Sequence, residues 1–327
     1  MPDAAADVSS PRPRPRLGLG LAALGRPAYV TGGRADDLGA VRSVEAMRSR
    51  THEILDLAYA RGVRYLDAAR SYGLAEQFLR DWLAGRPDVD DVFVASKWGY
   101  TYVGDWRTDV DVHEVKDHSL VAFERQRRET QALLGGRLSL YSIHSVTPQS
   151  PALDDRHLLA ELARWSAESG VRIGLSTSGP HQADVVLRAL QTQVDGRPLF
   201  SAVQATWNVL EPSVGPALQR AHDAGWLIVV KEGVANGRLA GTQAPSALSA
   251  AADRVGATPD ALALALVVAQ PWSPTVLSGA VTASQLDANL AAVEVTTAAA
   301  LAAAQDLHHL VEAPETYWRK RSDRPWA

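Results

Sequence analysis

The 327-residue chain contains no cysteine, which excludes disulfide frameworks, thiolate metal sites and cysteine nucleophiles. Lysine is nearly as scarce: among 33 basic residues the lysines are Lys97, Lys116, Lys231 and Lys320, and the rest are arginines. A lysine inside an apolar segment of such a chain marks a place that calls for a compact ammonium rather than a guanidinium fork. Long apolar runs are missing as well. The longest, 261–269, is too short to span a bilayer. Residues 1–16 combine Pro, Arg and Ala without an apolar stretch, so a flexible tail is expected there instead of a secretion signal, and a cytoplasmic location follows. A formal net charge of −4 offers no bulk positive charge for nucleic acid, and 46% hydrophobic residues exclude a disordered chain.

What is present is an alternation. Short apolar runs at Leu17–Ala22, Val63–Ala69, Val92–Lys97, Leu138–His144, Val171–Ser176, Ser201–Trp207, Trp226–Lys231 and Thr275–Gly279 read as strands. Between them lie segments of helical spacing, four of which end at Gly62, Gly135, Gly170 and Gly225, where glycine suits the left-handed residue that closes a helix. Strands alternating with helices imply parallel pairing through right-handed crossovers, and eight such units predict an α/β fold of the (β/α)8 TIM-barrel type. A single barrel domain is expected over 17–327. The rival, an open doubly wound sheet, lacks its Gly-x-Gly-x-x-Gly turn, because the Gly18–Gly20 pair has no third glycine. Two segments fall outside the plain barrel: a long loop at 98–118, and a C-terminal extension from Thr296 with an alanine-rich helix and a polar, basic tail.

Side chains at the C-terminal ends of barrel strands converge on one mouth. Those ends carry Asp67, Lys97, His144, Ser176, Gln204 and Lys231, and Tyr72 follows five residues after Asp67. Each has a plain alternative. Asp67 can cap a helix, Tyr72 can be a loop aromatic, Lys97 can snorkel to solvent, and His144 can be an inert core histidine. Together they make chemical sense. A phenol with a pKa of about 10 is a weak acid near neutrality. A neighbouring ammonium lowers that value, a carboxylate keeps the ammonium charged and in place, and a histidine can orient a carbonyl.

The set Leu66-Asp67-Ala68-Ala69-Arg70-Ser71-Tyr72-Gly73 with Glu76, then Ala95-Ser96-Lys97, Ser142-Ile143-His144, Gly174-Leu175-Ser176, Val203-Gln204 and Gly279-Ala280-Val281-Thr282 with Gln285 and Asn289 resembles the aldo-keto reductase superfamily. The resemblance covers about residues 17 to 290. It implies a barrel that binds NADP(H), with NAD(H) as the alternative, and reduces a small-molecule aldehyde or ketone to an alcohol, reversibly. It assigns Tyr72 as general acid, Asp67 and Lys97 as its tuning pair, and His144 as the donor that orients the carbonyl. Ser176, Thr177 and Gln204 match carboxamide-holding positions. Gly279, Thr282, Gln285 and Asn289 match the loop and helix N-terminus that hold the adenosine phosphate end, where backbone N–H groups favour anions.

Departures from the family's pattern are informative. Thr177 stands where the family usually has Asn, and Lys231-Glu232-Gly233-Val234 replaces an aromatic followed by Ser-Pro-Leu. Trp207 becomes a candidate for the missing stacking partner, and Lys231 is expected to enter the mouth and contact cofactor or substrate. Lys or Arg is commonly found where this chain has Gly279 and Gln285, so a 2′-phosphate gains less here. In the 98–118 loop, Trp98, Tyr100 and Trp106, with Tyr102, offer an aromatic frame for a substrate or, alternatively, pack the loop onto the barrel. His113, Glu114 and His118 have poor metal-site spacing, so no metal is expected and a surface cluster is the better reading. Two other functions fit parts of the pattern: a Schiff-base lyase using Lys97 or Lys231, and a cofactor-binding regulatory subunit.

Overall fold

The strand Ala202–Thr206 is buried at every position, and Phe93–Trp98 and Arg172–Thr177 at all but the first. Strands of that kind need cover on both faces, which parallel strands receive from crossover helices outside and from one another's side chains inside. The computed structural model, which describes residues 17–29, 35–272 and 275–326, meets that need with a closed barrel. The tail expected at 1–16 lies outside the described residues.

In chain order the strands are β1 (Leu17–Gly20), β2 (Tyr65–Asp67), β3 (Phe93–Trp98), β4 (Tyr100–Tyr102), β5 (Glu114–Lys116), β6 (Leu138–Val146), β7 (Arg172–Thr177), β8 (Gln193–Val194), β9 (Arg197–Pro198), β10 (Ala202–Thr206), β11 (Leu227–Lys231) and β12 (Thr275–Ser278). The barrel ring runs β1-β12-β11-β10-β7-β6-β3-β2, every pair parallel, while β4–β5 and β8–β9 are two-stranded antiparallel ribbons. All eight predicted strands are therefore present, in sequential order around the ring.

The helices are α1 (Ala35–Leu38), α2 (Val44–Ala60), α3 (Ala75–Ala84), α4 (Leu120–Leu134), α5 (Arg156–Ser169), α6 (Gln182–Gln191), α7 (Gly215–Asp223), α8 (Ser246–Arg254), α9 (Pro259–Val268), α10 (Ala283–Leu290), α11 (Thr297–Leu307) and α12 (Pro314–Ser322). Short hydroxyl or carboxylate side chains start many of them. Ser43, Ser119, Asp155, Thr258, Thr282 and Thr296 each accept a backbone N–H of the first turn. Gly170 closes α5 in the left-handed conformation (φ 73°).

Inside the ring, Tyr65, Ala95, Leu140, Ala202, Val229 and Leu277 form a cluster of their own. Tyr65 fits because β1 has glycine opposite it: a Cβ on Gly18 would lie 2.9 Å from the Tyr65 ring. The apolar run at 261–269 is the buried helix α9, packed among α8, α10 and α11. Among the described residues no single helix is long and apolar enough to cross a membrane.

The structure refines two expectations. The 98–118 loop is no plain loop, since β4 and β5 pair within it as a hairpin. The C-terminal basic residues do not form a solvated tail either. They belong to α12, which docks over the ends of β10 and β11. The Tyr317 hydroxyl accepts from Asn208 (2.9 Å), Lys320 donates to Glu312 (2.6 Å), and Arg321 binds Glu232. Trp326 stacks on His113, just before β5 (centroids 4.4 Å apart), and lies 4.6 Å from the guanidinium of Arg26 in the loop after β1.

Candidate active site

Asp67 ends β2, and Lys97 is the fifth residue of the adjacent β3, so barrel register brings them side by side. Lys97 Nζ donates to Asp67 Oδ2 at 2.5 Å and to the Ala68 carbonyl at 2.9 Å. The other Asp67 oxygen accepts from Gln204 Nε2 at 2.9 Å. Asp67 caps no helix. The residue preceding α3 is Leu74, which makes no side-chain cap.

Tyr72 lies in the turn between β2 and α3, and that turn is locked from below. The Gly25 carbonyl accepts from Leu74 N (2.8 Å), and a Cβ on Gly25 would lie 2.3 Å from the Tyr72 carbonyl oxygen. The phenol ring sits 4.8 Å from Lys97 Nζ and 5.5 Å, edge to face, from the His144 ring. His144 Nδ1 is 3.4 Å from Ser71 Oγ, and its backbone carbonyl is 2.8 Å from His118 Nε2.

Behind this group, buried Glu76 accepts from Ser96 (2.6 Å), Thr130 (2.9 Å) and Arg70 (2.6 Å). These contacts tie the Arg70–Tyr72 turn to β3 and α4.

The electrostatics separate the groups. Burial pushes the Tyr72 phenol well above its usual range, reinforced by Asp67 and opposed by Arg26, whose guanidinium is 5.1 Å from the ring. In the ligand-free pocket burial therefore outweighs the acidifying effect expected of a neighbouring ammonium, and Tyr72 keeps its proton. Burial also holds His144 well below the ordinary imidazole value, and Lys97, Lys231 and Arg26 push the same way, so it is neutral at pH 7.

The same pocket continues past Gln204 to Lys231, Glu232, Gly233, Asn236 and Gly279, and it encloses about 740 Å³ of empty space including its open mouth. Glu232 has a left-handed backbone (φ 57°), unusual for a non-glycine residue, and accepts two bonds from Arg321 of α12, from Nε at 2.9 Å and Nη2 at 2.7 Å. Burial alone would raise the Glu232 carboxyl, but Arg321 and Lys231 together pull it down to about 2. The Lys231 ammonium is pushed down to about 8, chiefly by burial.

Other predicted residues take varied places. Ser176 Oγ accepts from Ser145 N (2.8 Å), and Thr177 Oγ1 donates to Gln182 of α6 (3.2 Å). Gly279 lines the pocket. Thr282 caps α10, Asn289 Nδ2 donates to Ser278 Oγ (2.8 Å), and Gln285 bridges Val281 N (3.0 Å) and Asp37 (2.6 Å). Gln285 also borders a second cleft with Asp37 and Asp260. Among the described residues no lysine or arginine lines that cleft.

Several aromatic expectations need correction. Trp98 is fully buried and packs on Phe123 of α4 at 5.0 Å, on the helix side of β3. Trp106 packs on Phe78 and donates to the Arg42 carbonyl (2.7 Å). Trp207 lies edge to face with Trp272. None of these three lines the pocket. Tyr100 does stay beside the site, 5.1 Å from the His144 ring, and burial raises its phenol to about 12.

His113 and His118 are buried rather than members of a surface cluster, and burial lowers His118 to about 4. Glu114 pairs with Arg26 at 2.9 Å. Among the described residues no group of three or more His, Asp or Glu could hold a metal.

Sequence reasoning missed Arg26, Glu232 and Arg321. Arg26 is buried between the rings of Tyr29, Tyr72 and Trp326, and no motif announces it. Glu232 had one signal, its place beside an unexpected lysine.

The sequence profile of the aldo/keto reductase family matches residues 16–306. An aldo-keto reductase of Strobilurus tenacellus is 27% identical over 193 residues, which is 58% of this chain and 52% of that protein, so the match spans about half of the relative's length. Among solved structures, the holo form of an aldo-keto reductase from Bacillus halodurans superposes with a TM-score of 0.66 at 22% identity, covering 91% of this chain and 92% of its own. A putative aldo-keto reductase from Pseudomonas aeruginosa gives 0.61 at 22% identity, covering 89% and 90%. At such identities the structures speak to the fold alone.

Proposed function

The chain belongs to the aldo/keto reductase family, and from that premise we propose that it is a nicotinamide-dependent reductase of small aldehydes or ketones, with Tyr72 as proton donor. The observation that carries this reading is the convergence of the Lys97–Asp67 pair and a neutral His144 on a protonated Tyr72, which lines the pocket together with Asp67. The residues fit a dinucleotide. Gln204 commits its amide nitrogen to Asp67, which leaves its oxygen to accept from a carboxamide. Among the described residues a side-chain carbon at Gly279 would meet nothing within 4 Å, which suits the close approach of a phosphate.

Bound nicotinamide supplies the hydride. Tyr72 holds a phenolic proton and delivers it to the carbonyl oxygen as charge develops there. Lys97, anchored by Asp67 and the Ala68 carbonyl, keeps a positive charge at the ring and stabilises the phenolate left behind. Neutral His144, with Ser71 at Nδ1, directs its other nitrogen at the substrate oxygen and fixes the carbonyl's orientation.

The family's habit points to NADP(H), whereas the absence of Lys or Arg at positions 279 and 285 gives a 2′-phosphate less to bind and leaves NAD(H) as the alternative. Screening both reduced cofactors against a panel of aldehydes and ketones tests the reading, and Tyr72→Phe should lower kcat by about 10²–10⁴-fold. An unchanged kcat in that variant would remove Tyr72 from the mechanism.

One observation favours a second reading: the depressed Lys231 ammonium suits a Schiff base. Borohydride trapping of a carbonyl compound on Lys231 would decide for it.

A further inference from the structure

The charges around the pocket pair off with one left over. Lys97 is bound to Asp67, Arg321 to Glu232 and Arg26 to Glu114, and His144 is neutral at pH 7. Lys231 remains. It lines the pocket, yet among the described residues it donates no hydrogen bond and has no carboxylate within 4 Å. Its ammonium lies over the face of Trp318, 5.9 Å from the ring centroid. The carboxylate next to it in sequence is engaged from the other side by both nitrogens of the Arg321 fork.

A half-buried ammonium that makes no ion pair is costly, and the wall of the pocket therefore presents a positive charge without a direct partner, less screened than one in open water. Glu232 feels the Lys231 charge, but its carboxylate is already held by the Arg321 fork and makes no ion pair with Lys231.

We propose that Lys231 is the seat of an anionic oxygen group, a carboxylate or a phosphate, carried by the molecule that fills this pocket. The identity of that molecule rests on the reductase reading, which offers two sources: a carboxylate on the carbonyl substrate, or a phosphate of the cofactor.

Two arms separate the sources. In the first, 4-carboxybenzaldehyde and benzaldehyde are compared on the full-length protein, by quenching of tryptophan fluorescence and by kcat/KM with reduced cofactor. In the second, the dissociation constants of NADPH and NADH are measured by the same quenching. Each measurement is repeated on Lys231→Met and Lys231→Gln, with circular dichroism as the check on folding.

A charge-assisted hydrogen bond of this kind corresponds to roughly 10–100-fold in affinity. If the substrate brings the anion, the wild-type protein prefers the carboxylated aldehyde, and both substitutions cut the ratio by about that factor. If the cofactor brings it, the dinucleotide constants weaken by about the same factor while the aldehyde ratio stays near one. If neither the ratio nor the dinucleotide constants move by more than about twofold in either folded variant, the proposal is overturned. Failure of the wild-type protein to turn over either aldehyde would count against the reductase reading, and the binding measurements would still decide whether Lys231 seats an anion.

Discussion

Asp67 with Lys97, fully buried, and Glu232 with Arg321, partly exposed on the arginine side, are two carboxylate–cation pairs on facing arcs of the barrel mouth, since β3 and β11 stand four places apart in the ring of eight strands. They are built differently. In the first pair both partners come from neighbouring strands, so a barrel that closes in register also closes the pair. In the second, the cation arrives from α12, 89 residues further along the chain, and the pair exists only while that helix is docked. The strand-built pair shares the stability of the core, whereas the helix-built pair can open by local undocking of α12. The second arc also holds a spare cation, Lys231, and the first does not. Charge matching is thus complete where protons are proposed to move and incomplete where a ligand enters.

Breaking the strand-built pair gives the largest effect. Lys97→Met leaves Asp67 buried with Gln204 as its one remaining side-chain donor among the described residues. Loss of one partner from a buried pair costs about 3–5 kcal/mol, and loss of the cation at the phenol should lower kcat by about 10²–10⁴-fold. Chemical denaturation and steady-state kinetics on the same preparation measure both.

Arg321→Met tests the other arc and should cost less, about 1–3 kcal/mol, because Lys231 is at hand to take over Glu232. That rescue has a signature. With Lys231 recruited to Glu232, the variant should lose the same anion preference that Lys231→Met loses. A destabilisation as large as that of Lys97→Met would show that the two arcs are not so different.

Legibility in the sequence follows the same division. All eight strands were readable, because parallel strands covered on both faces announce themselves as apolar runs. The Asp67, Tyr72, Lys97 and His144 group was readable because each residue sits at or near a strand end. The second arc was half hidden. Lys231 stood out in a chain poor in lysine, but the Glu232–Arg321 pair beside it depends on a tertiary docking that no local pattern encodes, and the stretch around Arg321 reads as a polar, basic tail. Arg26 was invisible for a similar reason: its neighbours Tyr72, Glu114 and Trp326 come from three distant segments. The aromatic loop misled because Trp98 alternates toward α4 and away from the mouth, an alternation that register alone fixes.

The smallest effect is carried by pH: both groups of the second arc titrate below their unfolded values, so each makes stability rise with pH, in two separate windows. Glu232 titrates near 2 in the folded protein and near 4.3 when unfolded, so its contribution is fully present above the unfolded value and lost as pH falls through about 2. Lys231 gives the same slope in a higher window, because folding penalises its charged form where it favours that of Glu232. Burial lowers it to about 8, with Arg321 and Lys97 adding repulsion and Glu232 and Asp67 opposing, while the unfolded lysine titrates near 10.4. Between those values the unfolded chain binds the extra proton, so stability of the ligand-free protein should rise with pH across that window. Thermal melts of wild type against Lys231→Met from pH 7 to pH 10 isolate this group, because the variant lacks the rise and every other titrating residue is common to both. Anion binding must move oppositely, flat below about pH 8 and falling roughly tenfold per unit above it, since only the ammonium attracts the ligand. A melting difference without the matching loss of anion affinity would mean that Lys231 is merely a buried cation, and the second arc would then be as closed to ligands as the first.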